Sequence, residues 1–534
     1  MLNNLKAAVI VILSRLNYTQ ASSFTPNCTI PPYGTIYVSA PTVRSTLSIL
    51  WECLGILFLC TWSIQHLNVP KQRRSVKGFW NKFKVYVHTF LGKAKWAGLA
   101  LIALEYLLGR AMAERKAAKD GVRKLQECYS SRVMTLREKL EDLKQPSPEL
   151  SRLLEQGAPS WGIAHVYMAN AGFFVLDTGI SIPRLDRPFK INEALLRGRY
   201  WALNCRQWQK IAVENDYVDL PNIEAAVLER LDHKSAPVTI LAVLQIATHI
   251  AQLVTRTALG LPSTPLEIGT LAFAALSAVI YVTYWDRPQG IEVIHESKLD
   301  FDRLPLPGGV GVTIDDVDVE KSFKLYKLRN ELMDLGHTYL FQDDYPSVSL
   351  PPQTSLDECP IPIPNHAIPV LSFGSGSKIR TPWRRFLRRL GPSNEISYVF
   401  LTSAFGGLIF GGLHILPIDS SNVVLLEYII WLSSSCVVAA WPFLMLRSSF
   451  VVRRHSDNRM FDANPIMQGQ ILPAVEKSSR SRLRVRTLVV EIAVLYTPYL
   501  LARSYLLIAM FRTLVFLSPV SFENTWAALL PHWG

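Results

Sequence analysis

The chain has 534 residues, a net charge of +13 and 49% hydrophobic residues. Its mean hydropathy of +0.17 is high for a soluble chain, and its apolar residues gather in long uncharged runs, which argues against an ordinary soluble enzyme. The basic residues stand in blocks beside those runs, so they read as topology and lipid signals rather than a nucleic-acid footprint. The seven scattered cysteines form no CxxC pair and no zinc spacing.

Residues 1–45 read as a lumenal tail. It holds two sequons, Asn17-Tyr18-Thr19 and Asn27-Cys28-Thr29, with Asn17 and Asn27 as glycosylation sites. The apolar stretch 7–13 has the character of a signal-peptide core in a poor cleavage context, which leaves cleavage open. A first span covers 46–65, with Glu52 as its one charge. Lys71 to Lys95 then carries eight Lys/Arg and no acid, which puts it on the cytosolic side. Trp96 to Gly109 is only 14 residues long and contains Glu105, so it suits a re-entrant or interfacial helix. Arg110 to Lys144 reads as a long charged helix closed by Pro146. Counting 96–109 alone as a span, or together with the apolar block 162–176, would put strongly basic loops outside. Residues 66–237 are therefore assigned to a cytosolic and interfacial helical region.

A transmembrane hairpin follows at 238–285. Its second helix opens on Thr264-Pro265-Leu266-Glu267, a capping box with proline at the first helical position. Glu267 is thus expected to be structural, with Arg256 within pairing reach. Trp285-Asp286-Arg287 reads as an interfacial anchor at the far end. Residues 286–396 form a Pro/Gly/Ser-rich cytosolic region, 397–446 a second hairpin, 447–486 a basic cytosolic loop, and 487–534 a last span and tail. The predicted fold class is all-α: a polytopic helical bundle of about six spans, a re-entrant or interfacial helix, and loop-rich cytosolic segments.

Several blocks carry a resemblance: "ILWECLGILFLCTWSIQHLNVP", "SWGIAHVYMANAGFFVLDTG", "DHKSAPVTILAVLQIATHIAQLVTR", "GLPSTPLEIGTLAFAALSAVIYVTYWDRPQGIEV", "FGGLHILPID" and "PHWG". Together they resemble a large fungal family of multi-pass proteins. Most of its members have no assigned role. A few look like membrane-bound terpene cyclases of the ascofuranone and macrophorin type. The resemblance implies an enzyme that folds a prenyl chain attached to an aromatic or polyketide head, in the endoplasmic reticulum membrane. Two positions depart from the family pattern: Ala171-Gly172 replaces a tandem glycine, and Glu52 stands where a small residue is usual.

The chain has no DDxxD motif. Asp343-Asp344 sits in a polar loop and the Asp315-Asp316-Val317-Asp318 cluster reads as a solvated loop or helix cap, so ionisation of a diphosphate by bound metal is not expected. No cofactor and no metal site is predicted. The remaining chemistry protonates an olefin or epoxide, which needs a buried acid and aromatic faces for the carbocation. Ionisable residues inside spans are the candidates. They are Glu105, where the family often has an acid, His414 in "FGGLH", and Glu427 in the next span. The short connection between His414 and Glu427 would allow a carboxylate–imidazole pair. Asp177 and Glu52 rank below them, and Glu491, Arg503 and Arg512 read as pairing or snorkelling residues. The expected partners are a prenylated hydrophobic small molecule, the lipid bilayer and other enzymes of the pathway, with no nucleic acid. The alternative is a non-enzymatic polytopic protein, either a transporter or a pathway scaffold.

Overall fold

A computed structural model describes residues 43–72, 78–143, 157–180, 196, 198–232, 236–305, 317–337, 360–371, 395–416, 425–460 and 496–525. The sequons at Asn17 and Asn27, Glu491 and the acidic pair Asp343-Asp344 lie outside these residues.

Helix α1 (Thr46–Ser63) starts where the Ser45 side chain accepts from the Ser48 amide. Helix α2 (Phe79–Leu143) runs 65 residues with one break, at Ala103 (φ −144°, ψ 59°). The expected separate helix over 96–109 is not separate. It straddles this break and continues without a turn into the charged helix that follows. Further along the chain come α3 (Ile163–Asn170), β1 (Phe174–Asp177), β2 (Tyr200–Ala202), α4 (Cys205–Trp208) with a π-helical extension (Gln209–Glu214), and α5 (Ala225–Leu231). The later elements are α6 (Ala236–Ala258), α7 (Pro265–Thr283), β3 (His295–Lys298), α8 (Val317–Met333), α9 (Glu395–Leu413), α10 (Leu425–Met460) and α11 (496–512).

Among the described residues, five helices are long and apolar enough to cross a membrane: α1, α2, α6, α7 and the Leu425–Leu444 part of α10. Helix α9 contributes a shorter apolar stretch, Tyr398–Leu413. These helices are built inside out. Leu47, Trp51 and Phe58 of α1, Ile240 and Val254 of α6, and Leu425 and Ile429 of α10 are exposed. Glu52, His249, Gln252, Glu267 and Ser435 of the same helices are buried. Apolar side chains facing outward and polar ones paired inward is the arrangement that hydrocarbon surroundings favour.

Two glycines set how closely the helices approach. A Cβ on Gly109 of α2 would collide with Ser403 and the Val399 carbonyl of α9. A Cβ on Gly411 of α9 would fall 2.6 Å from the Ser435 carbonyl oxygen and 2.7 Å from Ala439 of α10. Small residues therefore bring α2, α9 and α10 into backbone contact.

The all-α expectation needs correction outside the bundle. β1 lies at the centre of a three-stranded sheet, antiparallel to β2 and parallel to β3. Val175 pairs with Ala202 on one side and with Glu296 on the other, so the sheet joins segments more than a hundred residues apart. Trp161, Phe174, Trp201 and Trp208 fill its core, with Trp161 stacked on Phe174 at 4.8 Å.

Candidate functional site

The break at Ala103 positions the first candidate. Just before it, the Leu101 carbonyl accepts from Arg503 Nε at 3.1 Å, and the Ile102 carbonyl lies 2.8 Å from the Tyr499 hydroxyl. Non-helical backbone at membrane depth persists only where other groups satisfy it, and here two α11 side chains do so. Just after the break, the buried Glu105 presents Oε1 to the same Tyr499 hydroxyl. Its Oε2 stands 3.9 Å from Arg503 Nη2, too far for a hydrogen bond.

Arg503 is 1% exposed. Its guanidinium carbon lies 3.6 Å from the Phe410 ring centroid and 5.1 Å from that of Phe273. The His414 ring packs at a tilt against the same Phe410 at 4.3 Å and against Trp431 at 5.6 Å. On the other flank Tyr499 stacks on Trp441 at 5.3 Å. Glu105 and His414 thus belong to one aromatic-walled cluster, joined through Arg503 and Phe410. Four buried polar atoms in this cluster have no hydrogen-bond partner among the described residues: Glu105 Oε2, Arg503 Nη1 and Nη2, and His414 Nε2.

Glu427 does not join them. Its carboxylate accepts from Arg512, and its backbone carbonyl accepts from the Tyr505 hydroxyl at 3.1 Å. The expected His414–Glu427 pair is absent. His414 Nδ1 sits 2.8 Å from its own Phe410 carbonyl, and Trp431 Nε1 donates to the His414 carbonyl at 2.8 Å. Each residue is taken by a nearer partner. Glu427 lies on the α11 side of α10, whereas His414 is enclosed by rings.

A second buried polar cluster occupies the opposite end of α1, α6 and α7. The capping box forms as expected: Thr264 Oγ1 accepts from the Glu267 amide at 3.2 Å, and Glu267 Oε2 accepts from the Thr264 amide at 2.8 Å. The cation on Glu267 is Arg44, which engages both carboxylate oxygens, and not Arg256. Arg256 instead donates to the carbonyls of Pro262, Ser521 and Glu523. Glu52 faces His249 Nδ1 at 3.4 Å, while His249 Nε2–H donates to the Glu267 carbonyl at 3.1 Å. With its amide turned to suit both neighbours, Gln252 donates to Glu52 at 2.6 Å and 3.2 Å and accepts from Arg44 at 3.2 Å. This is a closed network whose members satisfy one another.

A third cluster joins the resembling blocks where the bundle meets the sheet. Glu114 of α2 accepts from Arg110 Nε at 2.8 Å, from the Tyr284 hydroxyl at 2.8 Å, and from Arg287. Arg287 also donates to Asn68 Oδ1 at 3.1 Å, and Asn68 Nδ2 donates to the Pro364 carbonyl at 3.1 Å. The residues expected as an anchor, Trp285-Asp286-Arg287, separate in their surroundings. Trp285 is exposed and Asp286 pairs with Arg115 at 3.4 Å, but Arg287 is a buried cross-link.

Asp177 and His165 are accounted for structurally. Asp177 accepts from Arg199 Nε at 2.6 Å, and that hydrogen bond holds its carboxyl below the usual range against the opposing effect of burial. His165 Nδ1 accepts from the Gly162 amide at 3.1 Å, and its Nε2–H donates to the Ile223 carbonyl at 2.7 Å. Among the described residues no group of three or more His, Cys, Asp or Glu is placed to hold a metal ion.

Sequence reasoning missed Tyr499, Arg44, His249, Gln252 and Glu114, and it gave Arg503 only a pairing role. One signal was readable. Gln245, His249, Gln252 and Arg256 recur at helical spacing on α6, an amphipathic stripe on a membrane-length helix whose polar face had to be buried. Tyr499 and Arg503 left no such trace beside Glu105.

No curated protein and no solved structure matches the chain. The sequence profile of DUF8562, a family of unknown function, matches residues 18–302, more than half of the chain, so the chain belongs to that family.

Proposed function

We propose that the protein is a membrane-bound terpene cyclase that starts cyclisation by protonating an olefin or epoxide of a prenyl chain, with Glu105 as the proton donor. The observation that carries this reading is the Tyr499 hydroxyl, which faces two acceptors with one proton. If Tyr499 donates to the Ile102 carbonyl, the contact with Glu105 is satisfied by a protonated carboxyl donating to the tyrosine oxygen. Arg503 makes no hydrogen bond to Glu105 and lies over Phe410.

In the proposed step the Glu105 O–H bond breaks. Either a C–H bond forms from the olefin electron pair, or an O–H bond forms on the epoxide oxygen as its C–O bond opens. The cation is left on carbon, where the rings that Arg503 does not cover, Trp431 and Trp441, can stabilise it. Loss of a proton from the cyclised cation returns the acid to its starting state. His414, at the far side of Phe410, is proposed as a positioning residue. Glu427, paired with Arg512, drops out of the proposed site.

The reading includes a multi-pass placement in the endoplasmic reticulum membrane, with the sheet-bearing end cytosolic. The scaffold alternative draws on the charged part of α2, residues 110–143, which extends about 50 Å at 1.5 Å per residue.

The test is a microsomal assay of the full chain in a host that lacks it, fed farnesylated phenols with and without a terminal epoxide. The expected result is a cyclised product that falls by about 10²- to 10⁴-fold in Glu105→Gln at equal protein level. Product that survives Glu105→Gln would remove Glu105 from the mechanism, and no product from any substrate would favour the scaffold.

A further inference from the structure

Away from the membrane-length segments, a cleft of about 700 Å³ opens between the outer part of α2, the α4–π-helix unit and the end of α8. That volume is in the range of small-molecule sites. One wall is the π-helical turn Gln209–Glu214, a widened helix of the kind often found at functional sites. The next residues include Asp216, held at a positive φ of 56°.

Most polar groups here already have partners. Gln209 Nε2 donates to Cys128 Sγ at 2.8 Å and to Glu214 Oε1 at 3.0 Å, and Lys210 pairs with Glu214 at 3.0 Å. Two cations do not. Lys124 of α2 and Arg206 of α4 both line the cleft, and neither forms an ion pair among the described residues. Asp120 holds Lys116 at 2.5 Å and Arg123 at 3.1 Å, and Glu127 faces Arg123 at 3.6 Å, while Glu331 of the same lining forms no ion pair with either cation. Burial and the like charge of Arg206 pull the Lys124 ammonium below its ordinary range, partly offset by Asp120, Cys128 and Glu127. Two neighbouring cations left unpaired in a concave site repel each other until an anion enters.

We propose that this cleft binds a soluble phosphorylated small molecule, with Lys124 and Arg206 clamping the phosphate and Tyr217 and Glu331 facing its organic part. A phosphate dianion neutralises both cations, and arginine can bind it through two parallel hydrogen bonds. The cleft exceeds the needs of a bare phosphate. Its remaining wall includes the Tyr217 side chain and the Glu331 carboxylate, which suits a hydroxyl-bearing ligand such as a sugar phosphate or nucleotide. Lys124 lies 16 residues beyond Leu108, where the apolar run of α2 ends. That is about 24 Å along the helix, which favours a soluble phosphate over a lipid headgroup.

The experiment uses the full chain in nanodiscs of neutral lipid and follows thermal unfolding with AMP, glucose 6-phosphate or inorganic phosphate. A parallel arm uses nanodiscs that contain a phosphoinositide. The expected result is a rise in the midpoint with AMP or glucose 6-phosphate, with affinity reduced by roughly tenfold or more in Arg206→Gln and in Lys124→Gln. The unliganded midpoint of either variant should equal or exceed that of the wild type, because each removes a repulsion. No shift with any soluble phosphate, an undiminished shift in both variants, or a response to the phosphoinositide alone would each overturn the assignment.

Discussion

The two buried polar clusters of the bundle differ in one respect. At the Arg44–Glu52–His249–Glu267 end, the carboxylates and their neighbours answer one another through four chain segments. At the Glu105–Arg503–His414 centre, four buried polar atoms have no hydrogen-bond partner among the described residues. An unmet polar atom in an apolar interior costs about 1–3 kcal/mol, and a fold that tolerates several in one place has kept them for something other than stability. The closed cluster therefore reads as architecture. The open one is held by rings and a loose ion pair rather than by mutual hydrogen bonds.

The comparison can be broken most forcefully at the closed end. Glu267→Ala leaves Arg44 buried without its carboxylate and removes the helix cap, so a loss of about 3–5 kcal/mol is expected. Chemical unfolding in detergent would measure it. A loss below about 1 kcal/mol would mean that the pair is solvated and the cluster is not a keystone.

At the open end the same kind of change should be mild. Glu105→Gln and Tyr499→Phe should each shift stability by no more than about 1.5 kcal/mol, the net worth of an ordinary hydrogen bond. A loss from Glu105→Gln as large as that from Glu267→Ala would make both clusters structural and erase the distinction.

The smallest effect lies outside the bundle. Burial pushes the His337 imidazole down to about 4, opposed by its hydrogen bond to the Asn170 carbonyl. The folded state thus holds His337 neutral, while the unfolded chain takes up a proton below about pH 6.5. Its contribution is full above that pH and is lost as the pH falls toward 4, because the unfolded state binds more protons in that window. The thermal midpoint followed across pH 7 to 4 should fall less steeply in His337→Gln than in the wild type. Equal slopes would place the acid sensitivity elsewhere.

Much of the bundle was legible in the sequence. Apolar runs marked α1, α6, α7 and the apolar part of α10, and the Thr264–Glu267 capping box was readable because its residues are close in the chain. The sheet was not, since its strands have three or four residues each and β3 lies far from β1. Burial cost singled out Glu105 as a lone acid in an apolar stretch. Its partners were hidden because Tyr499 and Arg503 lie nearly four hundred residues away. The His414–Glu427 pairing failed for a related reason. A short connection brings two helix ends together but does not fix which faces meet, and Arg512 from a third helix was already at Glu427.

The most direct test of the distinction needs no substrate. Infrared spectra of the reconstituted protein at neutral pH report protonated carboxyl groups through their C=O stretch, which isotope exchange shifts. The expected spectrum has a protonated-carboxyl band that disappears in Glu105→Gln and persists in Glu267→Gln. A spectrum unchanged by Glu105→Gln would mean that Glu105 rests as a carboxylate beside Arg503, and the proposed proton donor would be lost.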